Sequence, residues 1–345
     1  MAAGAAGALA ATGIASLATQ GREQNPPHAF GLGDLHQSVV SLDVPKSQSP
    51  GAMDLTEFLT HFERGIEKIE NGNVIREFDI HTSDRSIMVA PGVTFPAWTF
   101  NGTVPGPTLR CTEGEMIRIR LSNSSKHPHT IHFHGIHPAS MDGVFEIVEP
   151  GDTFTYQFPA RPFGLFPYHC HVTPVTKHIA KGLYGTLIVD PDPSQPRTPR
   201  TRTTVDHEMV MVMNGFDPNF DEENEFYTVN GIANYYVQYP ARVRKGETLR
   251  IYLVNMTEFD LINSFHLHGN VFHVIRSGTS ILPVEDVLPL PRNTLWELTD
   301  TIMLCQGERA ILEVEPFQDP GKYMFHAHQG EFAERGWMGF FEVVP

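Results

Sequence analysis

The chain has 345 residues, of which 41% are hydrophobic and 19% are charged, and its formal net charge is −15. This length is sufficient for two domains of ordinary size, and the negative charge argues against a nucleic acid or an anionic membrane as partner. Three cysteines are too few for a disulfide framework, and no apolar run after the first 20 residues is long enough to span a membrane.

The first 50 residues are predicted to be the remnant of an export signal followed by a flexible arm. Residues 1–20 are small and apolar, like the middle of a secretory signal, although no basic region precedes them. A disordered tail is the alternative. Residues 20–50 are rich in Pro, Gly, Ser and Gln. We therefore expect an exported protein, either periplasmic or extracellular.

Residues 54–70, DLTEFLTHFERGIEKIE, predict a helix at the start of the first domain. Asp54 and Glu57 have the spacing of a capping box. The apolar side chains recur every three or four residues, at Phe58, Phe62, Ile66 and Ile69. From Val74 onward, short alternating runs separated by Gly, Pro and Asn are typical of antiparallel β-sandwiches.

The second half of the chain repeats the first. GPTLRCTEGEMIRIRLSN resembles YPARVRKGETLRIYLVN, TIHFHG recurs as SFHLHG, and PYHCHV recurs as YMFHAHQ. We therefore predict an all-β protein of two sandwich domains related by duplication. The first spans residues 51–190 and includes the N-terminal helix, and the second spans residues 204–345. The Pro-rich segment 191–203 is the linker between them.

The 18 histidines are concentrated in four stretches. Five lie between residues 127 and 137, three between 169 and 178, three between 266 and 273, and two at 326 and 328. Four in each half belong to the repeated HxH motifs, which makes a set of eight. His127 and His137 flank the first stretch, where they could support its ligands.

Alternation along a strand divides these side chains between two faces. His169 and His171 should face one way and Cys170 the other. By the same parity, His132 and His134 share a face, and His129 points to the opposite one. The HCH motif is therefore expected to contribute to two different sites.

His129, Cys170 and His178 are expected to form one of these sites. His178 follows Cys170 by eight residues, and Leu183, five residues further, offers no donor atom. A His-Cys-His set with a weak or absent axial ligand is the blue-copper arrangement. Zinc is the alternative, but a closed structural zinc site takes a fourth donor.

In this order, the motifs resemble those of a two-domain, laccase-like multicopper oxidase of the cupredoxin superfamily. The resemblance covers residues 75–345 and rests on HxxHxH, HCH with a downstream His, a second HxHG and a second HxH. It implies two cupredoxin-like Greek-key sandwiches and four coppers per chain, of types 1, 2 and a binuclear type 3.

The resemblance also implies the ligands of each copper. The type 1 copper is held by His129, Cys170 and His178, and the type 2 copper by His132 and His266. The remaining histidines hold the type 3 pair: His134, His169, His171, His268, His326 and His328.

The second domain keeps its cluster histidines and lacks the type 1 site. The residues at the four type 1 positions are Asn263 for His129, Ala327 for Cys170, Phe332 for His178 and Trp337 for Leu183. Since each domain supplies half of the cluster, the halves must meet at an interface. The sequence permits a meeting within one chain, whereas the resemblance implies a homotrimer in which neighbouring chains complete the cluster.

The activity that the resemblance implies is one-electron oxidation of phenols or aromatic amines coupled to reduction of dioxygen to two waters. Electrons would enter near an exposed edge of His178 and pass from Cys170 along the backbone to His169 and His171. Asp142, in SMDG, matches a family acid that assists proton delivery, with a turn Asp as the alternative. Glu331, just after HAH, is a second candidate acid.

Two other functions stay open at this point. A copper-containing nitrite reductase resembles the chain in its two-domain trimeric build and its type 1 copper, but three histidines suffice for its catalytic copper. A non-catalytic copper-binding or storage protein would favour many soft ligands.

Five further sulfur-containing side chains bear on metal binding or disulfide pairing. Met209, Met211 and Met213 alternate on one strand, where a place in the core is favoured over Cu(I) binding. Cys111 and Cys305 have the sequence setting of buried strand residues, and whether they pair is left open.

Overall fold

The computed structural model describes residues 43–194, 204–276 and 298–345. The predicted export signal, the arm up to residue 42 and the linker from residue 195 lie outside the described residues. Within the described residues, no helix is long and apolar enough to cross a membrane.

Strands dominate both halves of the described chain. The strands of the first half are β1 (Ile66–Glu70), β2 (Asn73–Ala90), β3 (Val93–Phe100), β4 (Thr108–Thr112), β5 (Met116–Asn123), β6 (His132–Phe133), β7 (Thr153–Pro159), β8 (Gly164–His169) and β9 (Tyr184–Asp190). Those of the second half are β10 (His207–Phe216), β11 (Phe226–Val229), β12 (Ala241–Arg244), β13 (Leu249–Asn255), β14 (Ile262–Leu267), β15 (Phe272–Arg276), β16 (Leu298–Thr299), β17 (Thr301–Cys305), β18 (Arg309–Val314), β19 (Gly321–His326) and β20 (Met338–Val344). The helices are α1 (Leu55–Phe58), α2 (Val175–Ala180), α3 (Tyr235–Gln238) and α4 (Gly330–Glu334), with a 3-10 turn at Ala139–Met141.

Each half contains two sheets. The first half has the strand order β1-β2-β5-β7, with β3 also paired to β2, and a second sheet in the order β4-β9-β8-β6. The second half has the orders β11-β10-β13-β18-β15-β16 and β12-β20-β19-β14-β17. The prediction of an all-β protein with two sandwich units is confirmed.

The duplication is visible in the strand pairing. In the first half β5 runs parallel to β2 and antiparallel to β7. In the second half β13 runs parallel to β10 and antiparallel to β18. The quoted repeat segments therefore occupy equivalent central strands. Strand β10 also carries Met209, Met211 and Met213, which are buried in the larger apolar core as expected.

The helix prediction is correct at its start and wrong beyond its first turn. Asp54 caps α1 by accepting a hydrogen bond from the backbone N of Thr56 at 2.8 Å, but α1 ends at Phe58. Residues 66–70 instead form β1, which pairs with β2 across an Asn71-Gly72 turn. Both turn residues have positive φ, the requirement of a tight hairpin. The apolar period at Ile66 and Ile69 was misleading, since both side chains are exposed.

Two further expectations need correction. Residues 43–50 are not part of a loose arm, because Val44 and Gln48 are buried. The Gln48 side chain accepts from Val104 N at 2.8 Å and donates to Gly231 O at 3.2 Å, so it joins the two halves. Cys305 is exposed rather than buried, because it ends β17 at the edge of its sheet. Cys305 and the buried Cys111 are both free thiols.

Candidate metal centres

A buried group of three side chains lies at one end of the first sandwich: His129, Cys170 and His178. Nδ1 of His178 is 3.2 Å from the Cys170 Sγ, Nδ1 of His129 is 3.8 Å from it, and the two Nδ1 atoms are 3.3 Å apart. Three potential ligand atoms therefore converge on one point, as the sequence predicted.

Backbone hydrogen bonds fix this group. Cys170 follows β8, and its N donates to Leu183 O at 3.0 Å, while the N of Thr130 donates to its Sγ at 3.4 Å. His178 lies on α2. The chain turns after this helix, and Leu183 N donates to His178 O at 3.2 Å. Leu183 is fully buried and its side chain has no donor atom, so the group offers three ligand atoms.

Burial sets the protonation of the group. Burial, followed by the charge of His178, lowers the pKa of His129 to about 3, and burial lowers the pKa of His178 to about 4. Both rings are neutral at neutral pH, which is the form that binds metals. Burial also raises the pKa of the Cys170 thiol, against the backbone hydrogen bonds that lower it. Metal binding must therefore release the thiol proton.

A second group lies on the other face of the same strands. His132, His134 and His169 bring ligand atoms within 4.8 Å of one another. The His171 ring is 5.4 Å from that of His132 and stacks on that of His169 at 6.0 Å. Since Cys170 belongs to the first group, the predicted alternation along the HCH motif is confirmed.

The second half of the chain holds a matching group of four histidines. His266, His268 and His326 converge in the same way, and the His328 ring is 5.3 Å from that of His266. The equivalent rings in the first half, His132 and His171, are 5.4 Å apart. The two groups have the same internal arrangement.

Backbone carbonyls determine which ring nitrogen is free for a metal. Nδ1 of His169 lies 3.0 Å from Cys170 O, and Nδ1 of His326 lies 2.6 Å from Ala327 O. A proton on these Nδ1 atoms leaves the lone pair on Nε2. The Nε2 atoms then point at neighbouring rings, at 3.2 Å between His134 and His169 and at 2.8 Å between His268 and His326. Convergent imidazole lone pairs of this kind suit metal ions.

The two histidine groups differ in exposure. His169 is buried and its three companions are half-buried, whereas His268 and His328 are exposed. Burial lowers the pKa of His134 to about 3 and that of His169 to about 4. Among the described residues, every ring contact between cluster histidines lies within one group.

The two candidate acids occupy different places. Asp142 Oδ1 is 3.2 Å from Nδ1 of His132 and 3.6 Å from Nε2 of His137, and its backbone O accepts from Nδ1 of His132 at 2.8 Å. Glu331 lies on α4, where its carboxylate pairs with Arg335 at 3.0 Å, and no described contact joins it to a histidine. Asp142 is at the cluster, and Glu331 is not.

The second half repeats the backbone of the His-Cys-His site without its ligands. Ala327 N donates to Trp337 O at 3.2 Å, and Trp337 N donates to Phe332 O at 2.9 Å. These bonds match Cys170 to Leu183 and Leu183 to His178, so the predicted alignment of Phe332 and Trp337 is confirmed. The alignment also places Glu331 next to the position at which the second half lacks a His-Cys-His site. The space is filled by rings, since Tyr227 stacks on Phe332 at 3.9 Å and Trp337 is fully buried.

The structure adds residues that the motifs did not reveal. Trp98 packs against His178 at 4.8 Å and His129 at 5.4 Å. The expected exposed edge of His178 is wrong, because this ring is 4% exposed beneath Trp98. Asp300 O accepts from Nδ1 of His266 at 3.0 Å, as Asp142 O does from His132. Asp300 follows its histidine by 34 residues and Asp142 by 10, so local repeat spacing could not pair them.

The donor sets fit copper. The first site offers two imidazole nitrogens and a thiol with no fourth donor, the set of blue-copper centres. Nδ1 of His129 faces the Cys170 Sγ and is therefore the ring nitrogen placed to bind a metal. Nε2 of the same ring is buried without a partner in the described structure. The eight histidines of the two matching groups, four in each half, offer the imidazole ligands that suit copper.

Comparisons with known proteins point in the same direction. Residues 82–194 and 202–345 match two family profiles, both described as multicopper oxidase. A solved structure titled as a multicopper oxidase superposes with a TM-score of 0.76 and 46% sequence identity, covering 87% of this chain and 98% of that one.

Curated relatives cover less of the chain. A copper-containing nitrite reductase from Neisseria gonorrhoeae is 31% identical over 212 residues, 56% of this chain and 52% of the relative. Laccase-2 from Botryotinia fuckeliana is 38% identical over 128 residues, 35% of this chain and 21% of the relative. The chain thus spans about half the length of the nitrite reductase and a smaller share of the laccase.

Proposed function

Since the chain belongs to the multicopper oxidase family, we propose that it is a laccase-like oxidase of phenolic or similar aromatic donors. It would oxidise four donor molecules by one electron each and reduce one dioxygen to two waters. The observation that carries the proposal is the division of one short segment between two sites: Cys170 in the His-Cys-His group, and His169 and His171 in the histidine cluster.

Residues 169–171 provide the connection between those sites. Cys170 is bonded through the backbone directly to both neighbouring histidines, and the ring of His169 also approaches the Cys170 carbonyl at 3.0 Å. No other residue needs to intervene between the two ligand groups. Copper bound in these groups would supply one-electron redox chemistry and a site for dioxygen.

The chain's own residues prepare each site for its task. Trp98 packs on His178 and His129, and the burial of all three ligand residues keeps water from the His-Cys-His group. Asp142 stays within 3.2 Å of His132 Nδ1, where its carboxylate can hold a proton for the oxygen-derived product. Four protons are consumed for every dioxygen reduced, so a carboxylate at this position has a defined role.

The direct test is oxygen uptake by the copper-loaded chain with a phenolic donor. We expect four coppers per chain, one of them blue, and one dioxygen consumed for every four donor molecules oxidised. Copper at this stoichiometry without oxygen uptake would contradict the oxidase and favour a binding or storage protein.

We further propose that the cluster forms between chains of a homotrimer. Two observations support this. The second half-cluster is open to solvent at His268 and His328. Exposed apolar side chains also flank both half-clusters: Ile136, Phe145 and Ile147 beside the first, and Leu261, Ile262 and Met303 beside the second. Apolar surface of this kind is typical of a contact surface.

Complementation tests the cross-chain cluster. Cys170→Ala removes the His-Cys-His site, and His326→Ala removes a ligand of the second half-cluster, so each variant alone should be inactive. In mixed trimers, the first domain of a His326→Ala chain can meet the second domain of a Cys170→Ala chain, and oxygen uptake should return. If the cluster formed within one chain, co-assembly would restore nothing.

Nitrite reduction is the second candidate, because the 31% identical relative from N. gonorrhoeae carries that name. A catalytic copper of that kind needs three histidines, which would leave five of the eight cluster histidines without a purpose. Nitrite turnover under anaerobic conditions, with no oxygen uptake in air, would support this candidate against the oxidase.

We also retain the proposal that the protein is exported. It rests on the apolar composition of residues 1–20. Fractionation of the native host, with the protein detected outside the cytoplasm and lacking this segment, is the expected outcome.

A further inference from the structure

A large cleft lies at the junction of the two halves, above the buried His-Cys-His group. Its volume is about 910 Å³, and Trp98 is part of its wall. The first half also contributes Phe95, Lys177 of α2 and Lys181 just after this helix. The second half contributes Phe220 and Phe259 from two loops. Volumes of several hundred cubic ångströms are typical of small-molecule sites.

Trp98 separates this cleft from the ligand group. Its ring contacts His178 at 4.8 Å on the buried side, and Lys177 Nζ lies 5.6 Å above the ring. An electron donor in the cleft would therefore meet Trp98 before either histidine. Since His178 is buried, a donor in the cleft reaches it through Trp98, which lines the cleft and packs on the His178 ring.

Aromatic surface lines the opposite wall. Phe220 is 59% exposed although its ring centroid is only 5.9 Å from that of Phe95. Its backbone has positive φ, held by hydrogen bonds from Phe220 N and Glu222 N to the Asp217 carboxylate. A large apolar side chain presented in this way offers a stacking surface for a planar ring.

The cleft also presents cations that the described structure leaves without an ion-pair partner. Lys126, Lys177 and Lys181 line it, and none of them takes part in an ion pair among the described residues. Burial, followed by the charge of Lys177, lowers the pKa of Lys181, whereas the carboxylates of Asp84 and Asp217 raise it. The cleft is lined by three acids, Asp84, Asp217 and Glu222, and by four cations, Arg85 and the three lysines, so the cations are in excess. The carboxylate of Asp217 is already occupied by two backbone N–H groups.

We propose that this cleft is the reductant site and that it selects planar aromatic donors bearing an anionic group such as carboxylate. This inference rests on the proposed oxidase function and adds the donor's chemical class and place. The donor's ring lies against the exposed ring of Phe220. Its anionic group lies near Lys181, whose Nζ is 4.6 Å from the Phe220 centroid and 6.0 Å from that of Trp98, and near Lys177 and Lys126.

The redox step balances with dioxygen as the oxidant. Each phenolic donor loses one electron and its phenolic proton, which passes to water in the cleft, and becomes a phenoxyl radical. Four such oxidations provide the four electrons and release the four protons that convert one dioxygen into two waters. The carboxylate of the donor does not react; it contributes to binding.

Binding is tested with a pair of probes that cannot donate a phenolic proton. Calorimetric titration of the full chain should show binding of 4-methoxybenzoate and much weaker binding of neutral 4-methoxybenzamide. Lys177→Gln should weaken the benzoate about threefold to fivefold, as expected for one partly exposed charge pair. Lys126→Gln combined with Lys177→Gln should weaken it about tenfold, and Lys177→Arg should restore most of the affinity.

Lys322→Gln is the matched control. Lys322 lies over Phe340 in the second half, so this substitution removes the same charge outside the cleft. It should leave benzoate binding unchanged. Three results would each overturn the assignment of the cleft. They are equal affinity for the two probes, equal weakening of benzoate binding by Lys322→Gln, and loss of benzoate binding when copper is removed from the chain.

Turnover separates this inference from the proposed function. With 4-hydroxy-3,5-dimethoxybenzoate as donor, Lys177→Gln should raise KM about threefold to fivefold without lowering kcat, and the blue absorption should be unchanged. With the corresponding neutral amide, KM should not respond. Oxygen uptake with no dependence on Lys177 would overturn the anionic donor class and leave the oxidase standing. Probe binding without oxygen uptake would overturn the oxidase instead.

Discussion

The HCH segment of the first half and the HAH segment of the second have the same backbone and opposite contents. In both, the central residue donates its N–H to a residue 10 or 13 positions later, Trp337 after Ala327 and Leu183 after Cys170. One interior holds two histidines and a thiol, and the other holds stacked aromatic rings. Within one duplicated scaffold, a metal site and an apolar core are alternative ways to fill the same space.

The difference shows which parts of the scaffold are independent. The two outward-facing histidine rings are 6.0 Å apart in the HCH segment and 6.3 Å apart in the HAH segment, whatever lies behind them. Because side chains of neighbouring residues point to opposite faces, the inner site could change without disturbing the outer one.

The largest expected effect comes from making the first segment like the second. Cys170→Ala reproduces the HAH motif, and we expect loss of the blue absorption and a fall in oxygen uptake of at least about 10³-fold. Copper bound by the outward histidines should remain, so copper analysis should show about three ions per chain. Retained blue colour would show that the thiol of another residue is the ligand.

The second effect concerns the two candidate acids. Asp142→Asn should slow oxygen reduction by about 10- to 100-fold, because it removes a proton-holding group at His132. Glu331→Gln is its control: Glu331 pairs with Arg335 at the surface beside the filled site, and its loss should leave turnover unchanged. Steady-state oxygen uptake compares the two, and equal losses would contradict the assignment.

A third, smaller effect concerns the aromatic side chains that occupy, in the second half, the space of the His-Cys-His group. Trp337→Leu introduces the residue of the first half, and the cavity left behind should lower the free energy of unfolding by about 2 to 4 kcal/mol. Trp337→Phe should cost less, since it keeps a ring and removes a buried indole N–H that has no acceptor in the described structure. Urea unfolding of the copper-free variants measures both, and an undiminished stability of Trp337→Leu would contradict the packing argument.

The smallest effect, measured per pH unit, is a pH dependence to which His129 contributes together with the other buried histidines of low pKa, His134, His169 and His178. Burial holds the pKa of His129 at about 3, below its ordinary value of 6.5. The unfolded chain therefore takes up a proton that the folded chain refuses, and stability is lost as pH falls from about 6.5 towards 3, by up to about 1.4 kcal/mol per unit. His129→Asn, which copies Asn263, should remove the His129 share of this slope in the copper-free chain and leave the share of the other buried histidines. Unfolding by urea at pH 7, 6, 5 and 4 measures it, with the exposed His61→Gln as the control.

The sequence was most informative where a residue's partner lies at a fixed local spacing. Alternation along HCH and the repeat of the motifs were enough to predict two faces, two halves and the filled site at Phe332 and Trp337. The N-terminal helix failed because Asn71-Gly72 imposed a hairpin on a segment whose apolar period suggested a helix. Local turn chemistry outweighed a weak periodic signal.

Contacts between segments distant in the chain could not be predicted. Trp98 reaches His178 from a strand 80 residues earlier, and Asp300 reaches His266 from 34 residues later. Exposure at the edge of a sheet likewise has no local signature, which is why Cys305 was misjudged. These features depend on how sheets are placed against each other, and a single sequence does not encode that placement in its motifs.

The loop that Asp217 holds together has a consequence for how this protein could diversify. It belongs to the half that has no His-Cys-His group, yet it places Phe220 over the cleft above that group. Substitutions in residues 218–222 can therefore reshape what enters the cleft while every ligand side chain keeps its position. Choice of reductant and its oxidation become separately evolvable traits, carried by different copies of one ancestral domain.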